Sequence, residues 1–302
     1  IFAVYAAAGR VAGATHAAWL LDLIVAVSTA ILAAKLIQNL GPAPRAGADG
    51  RSLDRDRRIA TWAAALCGAF IWSAPVFGGP LVAGQAESCM APLLLGAAVL
   101  AARRGTRAAL ACGVLLGAAT SLKLVALFAL PIAWLYAPPQ DRRDVRRAIT
   151  IAAGVAVPLV VAVLALAARG VLHAAVQAVS SYPRAYAAEI ASRSALVDVL
   201  ARGGTQLFRG IPLACFLAAA GAAAFRSDRR VAPTLLWLGL AAAGVAMQLQ
   251  VAGYHLLFLV PPLCILAGAG APHVVNAFAS AWRATQARSA RGTGVLAGLG
   301  LV

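Results

Sequence analysis

The chain has 302 residues, of which 62% are hydrophobic and 12% charged, with a mean hydropathy of +0.84. That excludes an ordinary soluble domain, whose helices keep a polar face for water. The net charge of +16 would suit a nucleic-acid partner, but the arginines stand in short clusters between apolar runs rather than on one face. Such clusters orient membrane proteins, so no nucleic-acid partner is expected.

The fold class expected is all-α, a polytopic transmembrane bundle with about nine to ten spans, since runs of about 18 apolar residues recur along the chain. In chain order the candidate spans are 16–40, 59–77, 85–102, 107–122, 124–137, 148–168, 208–225, 231–248 and 254–270. Residues 1–12 read as the end of an earlier element and 295–302 as the start of another. The chain opens on Ile1 and stops within an apolar run, so a fragment forming a single transmembrane domain over 1–302 is expected. The five cysteines (67, 89, 112, 215 and 264) show no CxxC or Cys/His spacing, so neither a disulfide framework, a metal site nor a cofactor is expected.

Positive charge sets the sidedness. The connections 41–58, 103–107, 138–147, 226–230 and 283–291, with Lys35, hold 19 of the 26 Lys and Arg residues. By the positive-inside rule these are cytoplasmic. The other seven, among them Lys123, Arg184, Arg193 and Arg202, then lie on or near the outer side.

That parity decides how GVLLGAATSLKLVALFALPIAWLY (113–136) is folded. As one helix, 107–137 would run about 46 Å against a hydrocarbon core of about 30 Å. It would also push one basic end outside. As a hairpin, both basic ends stay inside and Lys123 sits at a recessed outer turn, at the floor of a cavity facing out.

Other polar residues gather on the same side. The stretch GGPLVAGQAESCMAP (78–92) places Gln85 and Glu87 at the outer start of a helix. The stretch QLQVAGYHLLFLVPP (248–262) places Tyr254 and His255 at another outer mouth. The outer connection 170–207 reads as amphipathic surface helices broken at Tyr182-Pro183. Lys123 either snorkels to the interface or holds an anionic group such as a lipid phosphate. Glu87 either complements a helix dipole or orients a sugar hydroxyl, a cation or Lys123. Tyr254-His255 is either an interfacial aromatic anchor or, through His255, a hydrogen-bond donor to a phosphate oxygen. Arg184 faces headgroups or substrate. Asp22, inside the first span, packs on a neighbouring helix or borders the cavity.

The order GQAESCMAPLLLGAAVLAARR, ALACGVLLGAATSLKLVALFALP and YHLLFLVPPLCILAGAG resembles the GT-C membrane glycosyltransferases. The likeness is to the bacterial branch related to dolichyl-phosphate-mannose protein mannosyltransferases, glycosyltransferase family 39. It covers about residues 1 to 272. It implies transfer of a sugar from a polyprenyl-phosphate donor to a protein or glycan acceptor at the outer face of the bacterial cytoplasmic membrane. Gln85, Glu87, Lys123, Arg184, Tyr254 and His255 would bind substrate. The catalytic base implied by the family is an aspartate upstream of Ile1, so no residue here is assigned that role. The alternative is a transporter or flippase for an anionic or lipid-linked substrate.

Overall fold

A computed structural model describes residues 14–41, 50–70, 86–181, 196–224, 231–248 and 253–298. Among them every regular element is helical. The chain is an all-α membrane helical bundle.

The α-helices run α1 (Ala14–Leu40), α2 (Gly50–Phe70), α3 (Ala86–Ala101), α4 (Thr106–Leu122), the single turn α5 (Ile132–Leu135), α6 (Val145–Ala168), α7 (Leu172–Ser180), α8 (Leu196–Gly210), α9 (Pro212–Ala223), α10 (Val231–Ala246) and α11 (Val260–Gly298). Tighter 3-10 segments cover Leu124–Ala129, Pro139–Asp141 and Gly253–Leu259. Among the described residues three stretches are long and apolar enough to cross a bilayer alone: Leu20–Leu40, Val145–Ala168 and His255–Gln286. Helices α8 and α9 form a pair bent by 111° at Ile211. The other apolar pieces, 87–101, 106–122, 124–135 and 231–246, are shorter and pack within the bundle.

The core forms where α3, α4, α10, the 253–259 segment and the first half of α11 meet. Met90, Leu94, Leu95, Leu116, Trp237, Leu256 and Phe258 are fully buried there. By contrast Trp62, Val157, Val161, Leu164, Phe278 and Trp282 are exposed. Exposed apolar surface on that scale is foreign to a soluble monomer and suits lipid contact. Buried hydroxyls find partners, as apolar surroundings demand: Thr29 Oγ1 donates to Val25 O at 2.7 Å and Thr120 Oγ1 to Leu116 O at 2.9 Å, while the Tyr136 and Thr234 hydroxyls bond to each other at 2.7 Å.

Small residues set the closest helix pairs. Gly113 and Gly117 of α4 meet the α6 backbone at Ile151, Gly154 and Val155, and Gly221 of α9 meets Leu266 and Gly270 of α11. A side chain at these glycines would hold the backbones apart, and in lipid close packing replaces the missing hydrophobic drive.

The hairpin at Lys123 is present. Arg147, near the start of α6, donates from Nη2 to Ala101 O at 2.7 Å and from Nη1 to Arg103 O at 3.1 Å. The basic loops on either side of 107–137 therefore lie at one end of the bundle. The chain climbs α4, turns at Lys123 and returns through the 124–129 segment and α5.

Three boundaries differ from the sequence reading. Helix α2 begins at Gly50, so RSLDRDRR lies within the helix; residues 71–77 of that expected span lie outside the described residues. Arg55 donates to Asn276 Oδ1 at 2.6 Å and Asn276 Nδ2 to Asp56 Oδ1 at 3.2 Å, which ties this basic turn to α11. The expected span 208–225 is divided, because Phe208 to Gly210 belong to α8 and Pro212 starts α9; proline at the first helical position has no donor to lose. The expected connection 283–291 is helical instead. Its Ala, Arg and Gln residues are strong helix formers with no breaker between Pro272 and Gly292, so α11 continues to Gly298.

Candidate functional site

The start of one helix and the breaks in two others bring polar residues to one place, at the end opposite the arginine-rich loops. Glu87 stands in the first turn of α3. Lys123 stands where α4 stops, with an extended backbone (φ −158°, ψ 129°) before the 124–129 segment. His255 stands in the 253–259 segment that leads into α11.

The break at Lys123 has local causes. Ser121 Oγ donates to Ala118 O at 2.8 Å and Thr120 Oγ1 binds Leu116 O, so side chains compete for the helix's last carbonyls. The Lys123 N–H still closes the final turn on Ala119 O at 3.2 Å, and Ala126 N–H takes Lys123 O at 3.0 Å. Pro131 follows, and proline has no N–H for a continuing ladder.

Glu87 is 2% exposed and forms an ion pair with the Lys123 ammonium through Oε1; Lys123 is 29% exposed. His255 Nε2 lies 3.9 Å from the same oxygen, with its side chain 8% exposed. That is too long for a hydrogen bond, so His255 acts on Glu87 through its charge when protonated. The positive end of α3 adds to the stabilisation of the carboxylate. A buried anion thus has a lysine, a histidine and a helix terminus around it, and the lysine alone reaches toward solvent.

The site is also recessed. From the contact between Gly117 and Val155, α4 has five residues left and α6 has thirteen. At about 1.5 Å per residue, α6 rises on the order of 12 Å beyond Lys123. The same end receives Asp22, half-buried on α1 and within electrostatic reach of Cys89. Ser88, buried beside Glu87, is a further polar neighbour that its apolar surroundings in the sequence did not single out.

Of the six residues expected to bind substrate, Glu87, Lys123 and His255 are brought together. Gln85 and Arg184 lie outside the described residues, as does the Tyr254 side chain. Helix α8 packs on the 253–259 segment, so the amphipathic helix expected in 170–207 lies against the element carrying His255. A groove at the α6–α7 turn, lined by Ala167, Gly170, Leu172, His173 and Val176, shares no residue with the cluster. Among the described residues no group of three or more His, Cys, Asp or Glu could hold a metal ion.

The class this fold and cluster define is a membrane helical bundle with a recessed ionic centre. No family model, curated protein or solved structure matches the chain.

Proposed function

We propose that the chain belongs to a membrane glycosyltransferase that moves a sugar from a polyprenyl-phosphate-linked donor to a protein or glycan acceptor at the outer face of a bacterial cytoplasmic membrane. The observation that carries this reading is the pairing of Lys123 with buried Glu87 at a recessed helix break, with His255 beside them. A departing lipid phosphate needs a preorganised cation where negative charge develops, and Lys123 is the member of the cluster that reaches outward. Glu87 holds that ammonium in place and offers its carboxylate to a sugar hydroxyl. The positive-inside rule puts the cluster on the outer side, opposite the arginine-rich loops.

The test is transfer from a polyprenyl-phosphate hexose by the full-length protein in proteoliposomes. Loss of a preorganised charge typically slows such chemistry by about a hundredfold or more. Glu87→Gln and Lys123→Met should each do so when turnover is expressed per folded molecule. Full turnover in both variants removes the cluster from the reaction.

A second reading is favoured by the interrupted helices, because transporters bind ions and anionic substrates where helices break. In a transporter or flippase the same cluster would be a binding or gating pair. Uptake of an anionic or lipid-linked substrate without glycosyl transfer would select that reading.

A further inference from the structure

The opposite end of the molecule carries a second ordered concentration of charge. The loop after α3 and the start of α4 expose Arg103, Arg104 and Arg107; the loop before α6 and its first turn expose Arg142, Arg143 and Arg146. The two loops are locked together. Arg147, 7% exposed, bonds Ala101 O and Arg103 O, and also pairs with Asp141 at 3.4 Å. Arg142 in turn donates to Ala137 O and Leu135 O, both at 3.1 Å.

The nearby acids do not neutralise this crown. Asp141 is taken by Arg147, and Asp144 caps α6 by accepting the Arg146 N–H at 2.9 Å. Among the described residues no carboxylate pairs with any of the six exposed arginines. Directly above them the outer face of α6 is apolar and open, through Val145, Ile149, Val157, Val160, Val161 and Leu164.

We propose that this end of the α4–α6 pair is a binding site for anionic phospholipid, with phosphates on the arginines and acyl chains along α6. Charge complementarity selects the headgroup, and the apolar face beginning at Val145 within the same turn as Arg146 selects a lipid over a soluble anion. The fixed loops present the guanidiniums together, and guanidinium suits bidentate phosphate contact. The site is independent of the Glu87 cluster and of the activity proposed for it.

The full chain is purified, exchanged into nanodiscs of equal parts phosphatidylglycerol and phosphatidylcholine, and its retained lipid counted by native mass spectrometry. Phosphatidylglycerol should be retained in preference to phosphatidylcholine. Each basic residue near an anionic surface strengthens attraction about fivefold, so Arg143→Gln/Arg146→Gln should weaken retention about 25-fold. Arg202→Gln/Arg209→Gln, an equal charge change on α8 at the His255 end, should leave it within about twofold. If the first pair fails to fold, salt replaces it: at about 1 M, where screening length falls to about 3 Å, the wild type should release its phosphatidylglycerol. Equal losses in both double variants, no headgroup preference, retention unchanged by salt, or a dimer that excludes lipid from α6 in either lipid would each overturn the proposal.

Discussion

Removing the ammonium of Lys123 should harm the fold more than removing its partner. In Lys123→Met, Glu87 keeps its charge at 2% exposure and loses its nearest cation. Leaving one charge of a buried pair uncompensated costs about 3–5 kcal/mol. The lower end applies here, about 3 kcal/mol, because His255 Nε2 remains 3.9 Å away and the first turn of α3 still favours an anion. In Glu87→Gln the remaining charge belongs to Lys123, which is 29% exposed and can turn to water. That variant should lose only about 1 kcal/mol, the net worth of a replaced hydrogen bond.

The double variant leaves no orphan charge, so it should lose about 1–2 kcal/mol rather than the sum of about 4. Equilibrium unfolding of all four proteins in mixed detergent micelles gives the coupling directly. An interaction of about 2–3 kcal/mol is expected, against additivity within about 0.5 kcal/mol for uncoupled sites. Additive losses would refute the reasoning. So would a Glu87→Gln variant weaker than Lys123→Met, since the carboxylate would then not be the buried member of the pair.

The other predictions concern packing and topology. Arg147→Gln removes a buried guanidinium from two carbonyls and Asp141; a loss of about 3 kcal/mol is expected, and Arg147→Lys should not restore it, because one ammonium cannot span the fork. Wild-type stability in the lysine variant, by the same unfolding assay, would argue against the fork. Gly221→Ala drives a methyl into the Leu266 carbonyl oxygen and should destabilise by about 1–3 kcal/mol, whereas Gly239→Ala on α10 meets open space and should be neutral or slightly stabilising. Thermal melts of the pair check this, and equal shifts would mean that α9 and α11 do not depend on close approach. Cysteines placed singly at Arg104 and Gln140 should be labelled by a membrane-impermeant maleimide from the same side, opposite a cysteine at Arg202; labelling of Arg104 and Gln140 from different sides would break the hairpin at Lys123.

Much of this arrangement was legible because charge pattern and chain length constrain each other. A lysine in 113–136 with basic residues at both ends permits a hairpin and little else, and the structure folds there. Glu87 was recognisable by its place at the start of an apolar helix, and His255 by its place before Pro261 and Pro262. The bend at Ile211 was hidden, because Phe208 to Phe225 is apolar apart from Arg209, and that arginine, in the last turn of α8, reads as the flank of a span rather than as the end of a helix. Arg147 was hidden for a different reason: within QDRRDVRR it counts as one topogenic arginine among several, and only the third dimension shows it turned inward onto two carbonyls. The glycine contacts were equally silent, since nothing in the sequence separates Gly113 and Gly117, which meet α6, from Gly239, which meets open space.

The placement of the cluster follows from what lipid forbids. A carboxylate cannot be carried into a bilayer core on an unbroken helix without a partner, and an irregular backbone cannot face lipid without lost hydrogen bonds. Here one set of interruptions answers both demands. Ending α4 at Lys123 turns the chain and frees an ammonium to meet Glu87. In the 3-10 turns that follow, Ala126 N–H donates to Lys123 O and Leu130 N–H to Leu127 O, at 3.0 and 3.1 Å. Starting α3 at the same depth supplies the helix terminus, and the 253–259 segment delivers His255 on a stretch whose other residues, Leu256 to Leu259, are buried in the core. Straightening any one of these elements would strand a charge or bury an unpaired backbone group. The breaks and the ions are therefore expected to stand or fall together: a variant that restores helix through Lys123, such as Lys123→Leu with Pro131→Ala, should lose the hairpin, with Arg104 and Gln140 labelled from opposite sides, rather than keep the turn without its charge.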